Sequence, residues 1–228
     1  MRSQLVKDAY YGTVARLSYL NFLRYRIRAR RHATPLLLHL GSGLHPITGF
    51  VNIDANPLRR PDLWLDLRLG LPFGDDSVAA AYCCHTLEHF AEPDVRNILR
   101  ETWRVLKPGC GVRLVTPDLG KAIAAYVDGR IDWFDDFPDS RRSLGGRFTN
   151  YLLCRDQHRL MFDFSFMAEI LHDAGFIDVV ERSPHESAVF ERSYLASFEY
   201  EQPAGYHSLF VEAYKPGAPK APLVERCQ

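Results

Sequence analysis

The 228-residue sequence has few cysteines, no net charge and no long apolar run. Its five cysteines are an odd number, lie scattered and form no C-x-x-C pair. Neither a disulfide framework nor a structural zinc site is expected, and the expected compartment is a reducing cytoplasm. No apolar stretch approaches the ~18 residues of a membrane span. The N-terminus lacks the apolar core and small-residue cleavage site of a signal peptide. Basic and acidic side chains balance at 28 each, which removes the overall field that would favour nucleic acid. A third glycine is missing from the Gly-x-Gly turn after the first apolar run, which argues against a dinucleotide site.

What is present is ordinary for one globular domain: 46% apolar and 25% charged residues, in a chain long enough to bury a core. Leu36 to Asp54 organises the rest. It reads as a buried strand, the turn Gly41-Ser42-Gly43, and a short second strand ending on Asp54. A turn almost without side chains lets a ligand approach the main chain, and an acid at the next strand end can grip a ribose by its two hydroxyls. A mononucleoside-like ligand without a pyrophosphate fits this spacing, whereas a plain tight turn is the bland alternative.

Residues 1–32 carry eight basic side chains against the single acid Asp8, so the remainder is net acidic. Asp8 to Arg30 has near-helical apolar spacing and reads as an amphipathic helix. It could pack on the domain, lid a pocket, or touch an anionic surface. Further strands are expected at Gly49 to Asp54, Leu63 to Leu67, Val78 to Cys83 and Gly111 to Thr116, and a late pair at Ile177 to Arg182 and Tyr206 to Tyr214. Helices are expected at Pro93 to Leu106, Leu119 to Val127 and Asp163 to Ala174. Lys107 to Gly111 (KPGCG) reads as a turn that ends a helix. Residues 128–151 are aromatic-rich and irregular, fit for a lid or for a small satellite core. Strand–helix alternation followed by a strand pair predicts an α/β fold with a mostly parallel sheet and helices on both faces. The expected divisions are 1–34 as an N-terminal extension, 35–215 as the domain and 216–228 as a tail.

LHLGSG, FVNID, DLRLGLPFGDDS, CCHTLEH, LRETWRVLKPGCG, VRLVTPDL and LLHDAGF occur in this order. Together they resemble a class I S-adenosylmethionine-dependent methyltransferase of the methyltransferase-11-like group, a type found with polysaccharide and secondary-metabolite biosynthesis. The resemblance spans roughly Leu36 to Tyr214. It implies a Rossmann-like seven-stranded sheet whose last strand is antiparallel, with S-adenosyl-L-methionine as cofactor. It places Gly41, Ser42 and Gly43 along the methionine part and Asp54 on the ribose hydroxyls. Asp66 and Leu67 fall beside the adenine, and His85 beside the transferable methyl. Lys107 to Gly111 match a structural turn. His39 stands where the group commonly has an acid near the cofactor's ammonium, and the segment between Gly43 and Asp54 is too short for the usual first helix.

Methylating a hydroxyl calls for a base in reach of it. His85 and His89, four apart with Glu88 between them, are the candidates; on a helix they would share a face. Two histidines alone make an incomplete metal site, so no metal is expected. His158 could face the substrate. Asp118 could position a hydroxyl or cap a helix, and Asp163 reads as an N-cap. Cys83 and Cys84 read as small apolar filler, because no Pro-Cys pair points to pyrimidine C5 methylation. No Asn/Asp-Pro-Pro-aromatic tetrapeptide points to nucleobase amino methylation. The expected function is methyl transfer to a small molecule or glycan precursor, with oxygen the favoured acceptor. Competing readings are a scaffold that keeps the fold without transfer, an RNA methyltransferase gripping phosphates through residues 1–32, and a non-methylating reaction such as a cyclisation.

Overall fold

The computed structural model describes residues 12–13, 16–25, 36–199 and 207–218. Arg2, Lys7, Arg26, Arg28, Arg30 and Arg31 of the basic segment lie outside the described residues, as does most of the tail. Seven strands form one sheet: β1 (Leu36–Leu40), β2 (Val51–Asp54), β3 (Leu63–Trp64), β4 (Val78–Cys84), β5 (Leu106–Pro117), β6 (Ile177–Arg182) and β7 (Ser208–Tyr214). Their order is β3-β2-β1-β4-β5-β7-β6. The strands from β3 to β5 pair in parallel, and β7 runs antiparallel to both β5 and β6. The helices are α1 (16–25), α2 (Glu92–Val105), α3 (Leu119–Val127), α4 (Leu144–Leu153), α5 (Phe164–Asp173) and α6 (Arg192–Leu195).

All five residues of β1 are buried because both faces of the sheet are covered. Leu36, Leu38 and Leu40 enter the larger core with Val95, Ile98 and Leu99 of α2 and Met167, Ile170 and Leu171 of α5. Phe22 and Tyr25 of α1 pack against that core. Leu37 enters a second core with Ile47, Phe50, Phe190 and Leu195. Residues 44–50, where a first helix would usually run, form turns. Ends are set locally. Pro93 lies in the first turn of α2, and Asp118 and Asp163 cap α3 and α5 by accepting from Lys121 N and Phe166 N at 3.0 and 2.8 Å. Residues 128–151 build a satellite core of Trp133 and Phe134 against Ala122, Ala125, Phe148 and Tyr151.

Two expectations change. KPGCG does not end a helix as a free turn; it belongs to β5. Val78 pairs with Leu106 and Ala80 with Gly111, so the intervening residues bulge from the ladder, with Gly109 at φ 75°. β3 stops at Trp64, and Leu67–Leu69 forms a 3-10 turn capped by Asp66, whose carboxylate accepts from Arg68 N.

A buried charge cluster ties the late strands to the sheet. Arg113 of β5 is fully buried and donates to both oxygens of Glu199 at 2.8 and 2.9 Å, to Glu212 of β7 at 3.2 Å, and to the carbonyls of Glu186 and Ser183. Glu212 also accepts from Arg182 Nε and Ala188 N. Removing one partner would strand a charge in a dry interior, at about 3–5 kcal/mol.

His39 points into the second core, near Phe50 and Tyr82. Its Nδ1 meets Asn52 Oδ1 at 3.1 Å, and since Asn52 Oδ1 is an acceptor, Nδ1 carries a proton and donates. Burial lowers its pKa from 6.5 to about 4, outweighing the hydrogen bond to Asn52. The unfolded chain therefore takes up a proton before the native one does. Stability is full above pH ~6.5, falls as pH drops toward 4 and then levels, by about 3 kcal/mol in all. His39→Leu leaves Asn52 Oδ1 bonded to Ile47 N. Urea titrations of that variant should show a shallower loss of stability between pH 6.5 and 4 than the wild type.

Candidate active site

The candidate residues lie at the carboxyl ends of β1, β2 and β4, the end of an open α/β sheet at which ligands commonly bind. Gly41 has φ 71°, and a Cβ there would stand 2.3 Å from Cγ2 and Oγ1 of Thr86. The turn after β1 thus lies against the exit of β4. Thr86 Oγ1 donates to Cys84 O at 2.9 Å, and Gly41 N and Ser42 N both donate to Ile53 O. A Cβ on Gly43 would meet nothing closer than Gly41 O at 4.0 Å, so room remains beside the turn. Asp54 is half-buried and accepts from Gly43 N at 2.8 Å and Asn56 N at 2.7 Å, one bond per oxygen. Each oxygen keeps a lone pair, enough to accept from the two hydroxyls of a ribose.

Asp66 is buried, and its carboxylate takes the Arg68 guanidinium side-on, with contacts of 2.6 to 3.2 Å. An exocyclic amine at Asp66 would share an acceptor already bonded to Arg68. The Asp66 backbone N donates to Ser18 Oγ at 3.3 Å, and Asn21 Nδ2 donates to Trp64 O. Helix α1 is therefore packed beside the end of β3, next to Asp66 and the buried Leu67.

At the exit of β4, His85 adopts φ 45°, which turns the chain into the 3-10 segment Leu87–His89. His85 Nδ1 lies 3.4 Å from Glu88 Oε1, and Nε2 lies 3.1 Å from Ser208 Oγ on β7. Glu88 is buried. Burial raises its pKa, but the hydrogen bond and charge of His85 and the charge of His89 outweigh that, so the carboxyl sits below its ordinary value. The Glu88 carbonyl accepts from Arg159 N at 2.7 Å and Leu160 N at 3.3 Å, which ties the 157–160 segment to this turn. His89 and His158 stand with ring centroids 5.3 Å apart. Burial pushes His158 below its ordinary value, and the charge of Glu88 partly opposes this.

Of the predicted residues, Gly43 is bonded to Asp54 and Gly41 and Ser42 to Ile53, while His85 and His89 both lie by Glu88. Asp118 is engaged as a helix cap and in an ion pair with Lys121 at 2.9 Å. Cys83 is fully buried with its thiol pushed well up, as suits inert filler. Sequence reasoning missed Ser208 and Ser18. They reach the site from strand and helix partners far away in the chain, and neither carries a motif.

Residues 59–114, about a quarter of the chain, match the family model described as a methyltransferase domain. The match places a methyltransferase-domain signature on this chain. No curated protein matches the sequence. Among solved structures, an S-adenosylmethionine-dependent methyltransferase from Thermotoga maritima is 16% identical over 93% of this chain and 96% of its own, at a TM-score of 0.47. One from Archaeoglobus fulgidus is 13% identical over 85% and 94%, at 0.47. Phosphoethanolamine N-methyltransferase 2 of Haemonchus contortus, in complex with S-adenosyl-L-methionine, is 15% identical over 87% and 53%, at 0.48. At these values the likeness says nothing of acceptor or chemistry.

The contact between Gly41 and Thr86 is directly testable. Gly41→Ala should lower stability by roughly 1–3 kcal/mol in thermal melts, through the clash and the positive φ. Gly41→Ala with Thr86→Ala should recover only part of that loss, because the Cβ of residue 86 would still stand 2.8 Å from the new methyl.

Proposed function

We propose that the chain is an S-adenosylmethionine-dependent methyltransferase acting on a hydroxyl oxygen of a small molecule or glycan precursor. The observation that carries this reading is the placement of the Gly41–Gly43 turn and Asp54 across the strand ends from an ordered His85. The residues present fit the cofactor: the turn is open at Gly43, and Asp54 offers both oxygens. Gly41, Ser42 and Gly43 would run along the methionine part, Asp54 would hold the ribose hydroxyls, and Asp66 and Leu67 would border the adenine. When bound, S-adenosylmethionine supplies a methyl carbon on a sulfonium, activated for in-line displacement.

The chain then has to align the acceptor and remove one proton. Glu88 Oε1 faces His85 Nδ1, which fixes the proton on that nitrogen and leaves Nε2 as the base. As transfer proceeds, the acceptor's hydroxyl proton would pass to His85 Nε2. It moves directly or through the Ser208 hydroxyl that sits on Nε2. The buried Glu88 carboxylate stabilises the imidazolium that forms. His89 is set back on the carbonyl of Gln157 and serves this step less well. Helix α1, packed beside Asp66, closes the adenine end of the site.

The test is transfer of labelled methyl groups from S-adenosylmethionine to a panel of sugar nucleotides, glycosides, phenols and amines. A hydroxyl acceptor should be methylated. His85→Ala should lower kcat by ~10²–10⁴-fold and keep cofactor affinity within about threefold. Methylation confined to amines, or full activity of His85→Ala, would overturn the assignment.

A further inference from the structure

We propose that Glu88, His89 and His158 bind a divalent first-row transition metal ion. One ligand atom from each of the three residues lies within 4.8 Å of the others. Ligand atoms on a common ion, each about 2.1 Å from it, stand roughly 3–4 Å apart, so a small contraction closes the set. Glu88 supplies the observation that points to an occupant. Its carboxylate is 1% exposed, yet Oε2 has no hydrogen-bond partner among the described residues. A buried anionic oxygen without a partner calls for a cation or a donor.

Outer hydrogen bonds fix which nitrogen of each imidazole could serve as a ligand. His89 Nδ1 lies 3.1 Å from the carbonyl of Gln157, and His158 Nδ1 lies 3.1 Å from the carbonyl of Leu152. A carbonyl only accepts, so both rings carry their proton on Nδ1 and keep a lone pair on Nε2. Metal-binding histidines are oriented in this way by an outer hydrogen bond. The two ligand-bearing segments are held together by the bonds from Arg159 N and Leu160 N to the Glu88 carbonyl. Oε1 of the same carboxylate is turned to His85, and the unpartnered Oε2 would be the oxygen offered to the ion.

Two imidazoles and one carboxylate favour Zn²⁺, Co²⁺, Fe²⁺ or Mn²⁺ over Mg²⁺ and Ca²⁺, which prefer all-oxygen shells. Three protein ligands leave positions open. If the methyl-transfer reading holds, an acceptor oxygen at one of them would be a better acid and a fixed nucleophile. Metal binding itself does not rest on that reading.

The experiment titrates the full chain with Co²⁺, Zn²⁺ and Mg²⁺ and, separately, with S-adenosylmethionine. One equivalent of Co²⁺ should bind with visible d–d absorption and no thiolate charge-transfer band. Zn²⁺ should displace it, and Mg²⁺ should not. His158→Ala and Glu88→Gln should each weaken Co²⁺ binding by more than ~10-fold. Cys154→Ser, at the C-terminal end of α4 where burial and the charge of Glu88 raise the thiol's pKa, should not. Circular dichroism identifies variants that fail to fold, and His158→Ala, which removes no buried charge, keeps the test open if Glu88→Gln is lost. No stoichiometric binding to folded wild type, a thiolate band, or unchanged affinity in folded His158→Ala would overturn the proposal. Because the S-adenosylmethionine arm is read on its own, a missing metal site and a failed methyltransferase reading give different results.

Discussion

The site depends on a side chain that is not there. With only hydrogen at the Cα of Gly41, the turn after β1 can lie against Thr86, and a Cβ at 2.3 Å would force the two apart. That contact joins the two halves of the candidate site. One half is the glycine turn, held by Ile53 O and by Asp54; the other is the bend at His85 that follows β4. Parallel pairing of β2, β1 and β4 brings the strand ends level, and the absence of a side chain lets the connections after them touch.

The far side of the site is set from the interior. Arg113 and Glu212 are direct cross-strand partners on β5 and β7, and they are joined by an ion pair in a dry environment. A slip of β7 by one residue would turn Glu212 to the face away from Arg113 and leave both charges unpaired, so the pair fixes the register of β7 strongly. The same register places Ser208 opposite Pro117, at the end of the strand, where its hydroxyl reaches His85 Nε2. Glu199, bonded to Arg113, also accepts from His185 N and so draws the 183–199 connection over the second core. A structural charge cluster and a candidate catalytic group thus share one strand.

Much of this was legible locally. The apolar run into Gly41-Ser42-Gly43, the acid ending β2, the caps Asp118 and Asp163, and the apolar face of α2 all follow from period, capping and turn chemistry within a few residues. The reading failed where distant contacts override local preference. KPGCG has turn composition, but β4 and β7 on either side recruit it into a bulged strand. Helix α4 begins Leu144-Gly145-Gly146, and glycines in a first turn hide a helix that Ser143 capping and aromatic packing sustain. The grouping of His158 with Glu88 and His89 arises from backbone bonds to the Glu88 carbonyl, which no spacing in the chain announces. His39, at the position where the resemblance implies an acid, points instead into the second core beside Phe50 and Tyr82.

The central claim is that the glycine turn and Asp54 form a nucleoside-cofactor site. Calorimetric titration of wild type and Asp54→Ala with S-adenosylmethionine tests it most directly. Micromolar binding by the wild type, weakened about tenfold or more in the variant (about 1.4 kcal/mol), is the expected result. No binding by a folded wild type, or equal affinity in Asp54→Ala, would contradict the account.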